Sequence, residues 1–135
     1  MNEPGDQTKD WIEKADHDLG SAKIIFIHLP DYFDTIAFHC QQAVEKYIKA
    51  ILVHKEIEFL RSHDLIYLLE LLSNHTEITE EKYKKAVSLN GYSIQIRYPN
   101  KIIKLSYEEL QFAIAISHEF RTFAFEQIGI DEMNA

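Results

Sequence analysis

The sequence predicts an all-α protein, an antiparallel up-and-down bundle of four to five helices. Apolar residues recur at spacings of three and four along several stretches, as in amphipathic helices, and short turns between them favour antiparallel neighbours. Only residues 92–99 alternate like a strand, and a single strand has nothing to pair with, so we expect an extended loop there. A chain of 135 residues is the size of one domain, with a predicted core at about residues 8–128.

The first two helices are predicted over residues 9–29 and 34–55, separated by a turn at Pro30. Thr8 is the expected N-cap of the first helix, and Asp34 or Thr35 that of the second. Each helix has an apolar stripe that we expect in the core: Trp11, Ile12, Ala15, Leu19, Ala22, Ile25, Phe26 and Leu29 in the first, and Ala37, Cys40, Val44, Tyr47, Ile48, Ile51 and Leu52 in the second.

Two shorter helices are expected next. The third begins near His63 or Asp64, with Ser62 or His63 as its cap. The fourth covers residues 79–89 from a Thr79 cap and ends at Asn90–Gly91. The third helix has an apolar stripe of four leucines, and the fourth has a smaller apolar face. The stripe consists of Leu65, Leu68, Leu69 and Leu72, and the smaller face of Tyr83, Ala86 and Val87.

The last helix is predicted over residues 107–127 after a Ser106 cap and has two apolar faces. We therefore expect it to lie centrally in the bundle or to contribute to a subunit interface. The two faces consist of Leu110, Ala113, Ile114 and Ser117, and of Phe112, Ile116, Phe120 and Phe123.

Charge and cysteine content exclude several classes of protein. The chain has 14 basic and 22 acidic residues, a net charge of -8, which argues against a protein that coats nucleic acid. Residues 82–104 nevertheless contain six basic residues and no acid, either a solvated face or an RNA- or anion-binding segment. Cys40 is the only cysteine, and no apolar run reaches the roughly 18 residues of a membrane span, so we expect a cytoplasmic protein without disulfides.

Three stretches closely resemble the HEPN domain family: residues 37–50 (AFHCQQAVEKYIKA), residues 62–65 (SHDL) and residues 97–99 (RYP). The first helix is similar to that family's as well, through Trp11, Ala15, Asp18, Leu19 and Ala22. The resemblance implies an antiparallel helical bundle and frequent homodimers. It also implies an association with nucleotides, RNA or minimal nucleotidyltransferase partners in toxin–antitoxin and defence systems.

The ribonuclease branch of that family is marked by an arginine followed, after four to six residues, by a histidine. The chain has three arginines, Arg61, Arg97 and Arg121, and none has a histidine at that spacing. Such chemistry requires a proton-exchanging group and a phosphate-binding cation held together on one helix face. We therefore expect a non-catalytic member of the family.

The candidate site residues form two sets. The expected ligand or partner contacts are Gln42, Glu45, Lys46 and Lys49, at helical spacing on the second helix, and Arg97 and Tyr98. The first four can equally be a solvated polar face with a Glu45–Lys49 pair, and Arg97 can equally tie its loop to a carboxylate on the bundle. The alternative is a ribonuclease toxin that gathers His63, Asp64 and Arg97 at a dimer interface, although His63–Asp64 more often forms a helix cap.

These residues lead to two hypotheses for function. The first is a non-catalytic, dimeric binding module that partners a nucleotidyltransferase subunit, a nucleotide or RNA, and the second is the ribonuclease toxin. No metal or cofactor is expected, because no glutamate is followed three residues later by histidine and no histidine pair stands four apart.

Overall fold

Five helices form within residues 3–92 and 104–132, the parts of the chain that the computed structural model describes. They are α1 (Asp6–His28), α2 (Phe33–His54), α3 (Leu65–Ser73), α4 (Glu80–Leu89) and α5 (Tyr107–Ile128). The all-α prediction is confirmed. The loop expected over residues 92–99 lies outside the described residues from position 93 onward.

Side-chain contacts fix the directions of the long helices. Trp11 lies beside Lys49 and Asp18 beside His39, so α1 and α2 run antiparallel, as their short connection requires. Arg121 reaches Asp16, and Phe26 stacks against Tyr107 near the other end of the pair, so α5 is antiparallel to α1 as well.

α2 is the central helix of the bundle and packs against α1, α3 and α5. Every residue of its predicted apolar stripe is buried, and the side chains of Tyr47 and Cys40 are completely enclosed. α3 contributes four buried leucines to the core and packs against α2 and α4, while α5 packs against α1, α2 and α4. The inner stripes predicted for α2 and α3 are confirmed, since all their members are buried: Ala37, Cys40, Val44, Tyr47, Ile48, Ile51 and Leu52, and Leu65, Leu68, Leu69 and Leu72.

The N-caps predicted for α1 and α2 are wrong. α1 begins at Asp6, with Gly5 as its N-cap, and Thr8 is a buried residue inside the helix. α2 begins at Phe33 after Tyr32, and Asp34 accepts a hydrogen bond only from the neighbouring Thr35 amide. Neither helix has a side-chain cap. Water can satisfy the exposed first-turn amides in its place.

The ends of the later helices agree better with the sequence. Thr79 caps α4, and Ser106 and Glu109 form a reciprocal capping box at the start of α5, so both predictions are confirmed. α3 differs, because its N-cap is Asp64, whose carboxylate accepts from the Ile66 amide at 3.0 Å. Ser62 instead accepts from the Asp64 amide.

Three residues expected on apolar inner faces are exposed instead. Leu29, the C-cap of α1, is 46% exposed because the helix ends before it, Val87 of α4 points outward, and Phe112 of α5 is 54% exposed. The other members of its predicted face, Ile116, Phe120 and Phe123, are buried together with Leu110 and Ala113 in one broad stripe. α5 therefore has one wide buried side, and Phe112 is an exposed apolar residue outside it.

Candidate functional site

The predicted polar residues of α2 are directed to two different neighbours. Glu45 and Lys49 belong to a group that contacts the loop before α3, whereas Lys46 donates to Asp18 of α1 with 2.5 Å between Nζ and Oδ2. The expected single polar face is therefore divided in two. We call these groups the Glu45 cluster (Gln41, Gln42, Glu45, Lys49 and His63) and the Asp18 cluster (Asp18, His39 and Lys46).

The carboxylate of Glu45 is the centre of the first cluster. Its Oε2 accepts from Lys49 Nζ at 3.0 Å, and its Oε1 lies 2.9 Å from His63 Nδ1. Gln42 Nε2 lies 3.4 Å from the same Oε1. Gln41, which is fully buried, donates to the His63 carbonyl at 3.0 Å, so α2 holds both the backbone and the ring of His63.

Burial distinguishes the Glu45–Lys49 pair from the solvated helical pair that the spacing suggested. The two side chains are only 3% and 7% exposed. A surface pair of this spacing is worth a few tenths of a kcal/mol, whereas removing one partner of a buried pair leaves an uncompensated charge. The pair is thus a fixed part of the bundle interior, and its charges depend on each other.

His63 is the most accessible member of the Glu45 cluster, with about half of its side chain exposed. Since Nδ1 faces a carboxylate oxygen, Nδ1 carries the proton in the neutral ring and Nε2 is the nitrogen left for another partner. A carboxylate that orients an imidazole in this way is suited to proton transfer. The arrangement therefore has acid–base capacity at the edge of a buried ion pair.

The other residues of the alternative active site do not join His63 within the described residues. Asp64 is occupied as the cap of α3 and also accepts from Asn90 Nδ2 at 3.1 Å. Arg97 and Tyr98 lie outside the described residues, so their role in a site remains a prediction from the sequence. The carboxylate partner of His63 is Glu45, which the sequence placed in the other candidate set.

The Asp18 cluster combines one carboxylate with two basic side chains. His39 Nδ1 lies 2.8 Å from Asp18 Oδ1, and Lys46 occupies Oδ2. Burial acts to raise the pKa of Asp18, but the hydrogen bonds from His39 and Lys46 outweigh it and hold the pKa below its ordinary value. Both oxygens of the Asp18 carboxylate are thus used in joining α1 to α2.

A third polar network, which the sequence did not indicate, joins α1, α2 and α5. Tyr47 and Arg121 both donate to Asp16 Oδ1, Arg121 Nε at 3.0 Å, and the guanidinium lies 4.3 Å from the Phe125 ring centroid. Burial, together with the neighbouring Asp16, raises the pKa of Tyr47, so its phenol stays protonated. The available signal was a tyrosine in a fully apolar stripe, because a buried hydroxyl needs a partner.

Neither a metal site nor a membrane-spanning helix is present among the described residues. Across residues 3–92 and 104–132, no three histidine, cysteine, aspartate or glutamate side chains converge as a metal site would require. No helix in these same ranges has the length and apolar character of a transmembrane span.

The chain belongs to the HEPN family, because the family model of the HEPN domain matches residues 8–128. It is 31% identical over 97 residues to a protein of Methanocaldococcus jannaschii named "Putative toxin MJ1304", and the matched part covers 66% of this chain. That match spans 61% of the archaeal relative, less than two thirds of its length.

Solved structures share the fold over nearly the whole chain. TT1696 from Thermus thermophilus is 25% identical, with a TM-score of 0.80 over 91% of this chain and 99% of its own. ST0689, described as an archaeal HEPN homologue, is 23% identical and has a TM-score of 0.72 over 95% of this chain and 99% of its own. An HEPN domain protein of Thermotoga maritima has the same TM-score and identity over 89% of this chain and 98% of its own.

Proposed function

We propose that this HEPN protein is a binding module of a toxin–antitoxin or defence-type system, and that it works as a homodimer that partners a nucleotidyltransferase subunit. The observation that carries this proposal is an exposed apolar surface along α1 and α5. The name of the archaeal relative MJ1304 supports the toxin-type setting. Arg97, Tyr98 and the polar residues of α2 remain contact candidates for a nucleotide or RNA.

We call this surface the α1–α5 face. Ile24 and Ile27 on α1 and Tyr107 and Phe112 on α5 each expose more than half of their surface. Between the helices lies a groove of about 380 Å³, lined mainly by apolar atoms of Phe26, Ile27, Gln111, Ile114, Ala115 and the Lys23 stem. Single exposed apolar residues are ordinary, but here exposed Ile27 lines an apolar groove and exposed Tyr107 packs on Phe26 of the same groove, as is typical of a protein-binding surface.

A second copy of the chain is the partner that fits this face most directly. In a twofold dimer the same patch is used by both subunits, so an apolar patch is covered by an identical one. The sequence pattern of the last helix favours the same arrangement, since Tyr107 and Phe112 are large residues of α5 that the bundle leaves exposed. The remaining surface of such a dimer stays available to a nucleotidyltransferase subunit.

Sedimentation of Ile27→Asp tests the proposal. We expect the unmodified chain to sediment with twice the 15.8 kDa mass of one chain, and Ile27→Asp to sediment as a monomer with unchanged circular dichroism. Val87→Asp is the matched control, because Val87 is similarly exposed but lies on α4. A monomeric unmodified chain at high concentration, or a dimeric Ile27→Asp variant, would refute the dimer.

The Glu45–His63 pair favours a second candidate, a ribonuclease whose active site differs from the arginine–histidine pattern of the family's ribonuclease branch. An imidazole oriented by a carboxylate could accept the proton of a ribose hydroxyl without a metal. Incubation of cellular RNA with the purified chain, with His63→Ala and with the exposed control His17→Ala decides between the candidates. The binding module leaves RNA intact in all three samples, whereas the ribonuclease cleaves RNA and loses activity only in His63→Ala.

A further inference from the structure

We infer that a hollow beside the N-terminal half of α1 receives an arginine side chain of a partner protein. We call it the Trp11 hollow. It has a volume of about 650 Å³ and lies between α1, the end of α2 and the loop that leads into α3. Its lining residues are Gln7, Trp11, Val53, Glu58, Phe59, Leu60 and Tyr67, none of which belongs to the α1–α5 face.

Aromatic rings form the walls of the Trp11 hollow. Trp11 comes from α1, Phe59 from the loop and Tyr67 from the first turn of α3. The Tyr67 hydroxyl accepts a hydrogen bond from the Leu60 amide at 3.0 Å, which holds the loop in place and leaves the tyrosine ring as an apolar surface. These half-buried rings offer flat faces against which a planar or long apolar group can pack.

The same rings already contact a cation from the inside of the protein. Lys49 Nζ lies 5.4 Å from the Trp11 ring centroid and 5.8 Å from that of Phe59. Its charge is neutralised by Glu45 at 3.0 Å, so it adds little repulsion toward a second cation on the open side. Trp11 and Phe59 thus already take part in cation–π contacts, the interaction by which aromatic rings recognise ammonium and guanidinium groups.

The polar lining selects a hydrogen-bond donor with a positive charge. Glu58 is the acidic residue of the lining, and its carboxylate accepts hydrogen bonds but donates none. An anionic ligand would face an unfavourable carboxylate here, whereas a cation would be stabilised.

Arginine satisfies both requirements better than lysine does. Its guanidinium is flat enough to stack on Trp11, and its fork of N–H donors can bind a carboxylate at two points. Its methylene stem packs against apolar surface of the kind that Val53 and Leu60 supply. The volume lies in the range of ordinary ligand sites, roughly 300–1,000 Å³, and so accommodates one such side chain and its flanking backbone.

Trp11 is the only tryptophan of the chain, so its indole N–H gives a single NMR signal that reports on the hollow. The probe is N-acetyl-arginine methylamide, and its matched control is the citrulline analogue, which has nearly the same shape but no charge. We expect the arginine probe to shift the Trp11 signal saturably and to bind at least about fivefold more tightly than the citrulline probe. Glu58→Gln should weaken arginine binding by at least about fivefold, while Glu56→Gln, in the same loop but outside the lining, should not.

Three outcomes would overturn the inference. Equal binding of the arginine and citrulline probes would show that charge is not recognised, and unchanged binding to Glu58→Gln would exclude the carboxylate. Because Lys14 Nζ lies 6.0 Å from the Trp11 ring centroid, adenosine monophosphate is included as an anionic probe, and tighter binding of it would assign the hollow to anions. The Ile27→Asp monomer should bind the arginine probe normally, so this result is independent of dimerisation.

Discussion

Glu45 lies between a buried ammonium group and a half-exposed imidazole, and both depend on its negative charge. Replacing Glu45 by Gln would leave the Lys49 charge buried without a partner. We expect this change to lower the free energy of unfolding by about 3–5 kcal/mol in urea denaturation.

The double variant Glu45→Gln/Lys49→Met provides the control. Because it removes both charges and keeps similar volumes, we expect it to recover most of the lost stability. A double variant as unstable as Glu45→Gln alone would mean that the carboxylate acts through His63 and Gln42 rather than through Lys49.

Asp18 should make stability depend on pH in the acid range. Its pKa in the folded protein is below the ordinary value of 3.8, so the unfolded chain binds the proton more readily. The contribution of Asp18 is therefore complete above about pH 4 and is lost as the pH falls through the folded pKa.

We expect Asp18→Asn to lower the free energy of unfolding by about 2 kcal/mol at pH 7, and the difference from the unmodified chain to shrink as the pH falls below about 4. Denaturant titrations across this range measure it. Asp10→Asn, which changes an exposed acid of the same helix, should show no such trend. A pH-independent difference would assign the effect of Asp18 to packing.

The sequence identified individual site residues better than it identified the side chains that contact them in the folded protein. The spacing of Glu45 and Lys49 predicts their contact, but the residues around the buried pair come from outside α2. His63 lies against Glu45, and the rings of Trp11 and Phe59 lie beside Lys49. His63 meets Glu45 across 18 positions, and Asp16 meets Arg121 across 105. No local pattern contains such pairs, because the packing of whole helices brings them together.

Among the helices, the side-chain caps of α4 and α5 were predictable, whereas the cap of α3 was placed at Ser62 or His63 instead of Asp64. Thr79 and Ser106 each accept from an amide three residues later, a pattern that is visible in the sequence as threonine or serine before acidic residues. α1 and α2 start instead after Gly5 and Tyr32, where water can satisfy the amides and no residue type marks the position.

Two glycines in different backbone conformations give opposite predictions. Gly20 lies on the exposed side of α1, and a β-carbon added there would meet no atom within 4 Å. Gly129 ends α5 with φ of 87°, in the left-handed region. We expect Gly20→Ala to raise the free energy of unfolding by up to about 1 kcal/mol, and Gly129→Ala to lower it by about 1 kcal/mol.

Thermal unfolding of the two glycine variants and of the unmodified chain tests whether the free energy of unfolding rises in one variant and falls in the other. Each variant is the control for the other, because both replace a glycine by an alanine. Destabilisation by Gly20→Ala would contradict the open environment of that position in α1.

For the whole molecule, the proposed dimer through the α1–α5 face predicts that stability depends on protein concentration. If folded chains associate through this face, the folded state is stabilised by mass action and the Tm rises with concentration. We expect this rise for the unmodified chain and for Val87→Asp, and a constant Tm for Ile27→Asp. Calorimetry over a hundredfold concentration range measures it, and a constant Tm for the unmodified chain would contradict association.

The bundle itself could be predicted because its signals are local and repeated. Apolar residues at spacings of three and four define the inner sides of α1, α2, α3 and α5. The exposed position of Phe112 could not be predicted in this way, since periodicity records which residues are apolar and not which of them the neighbouring helices cover. The Trp11 hollow is non-local too, because its walls come from α1, a loop and α3.

The reactivity of Cys40 can report how often the core of the bundle opens. Its side chain is fully enclosed at the centre of α2, and burial raises the pKa of the thiol to about 12. A thiol reagent can therefore react only when the helices separate, and with fast labelling chemistry the modification rate reports how often the core opens. The one cysteine of the chain thus measures opening of the interior without any introduced label.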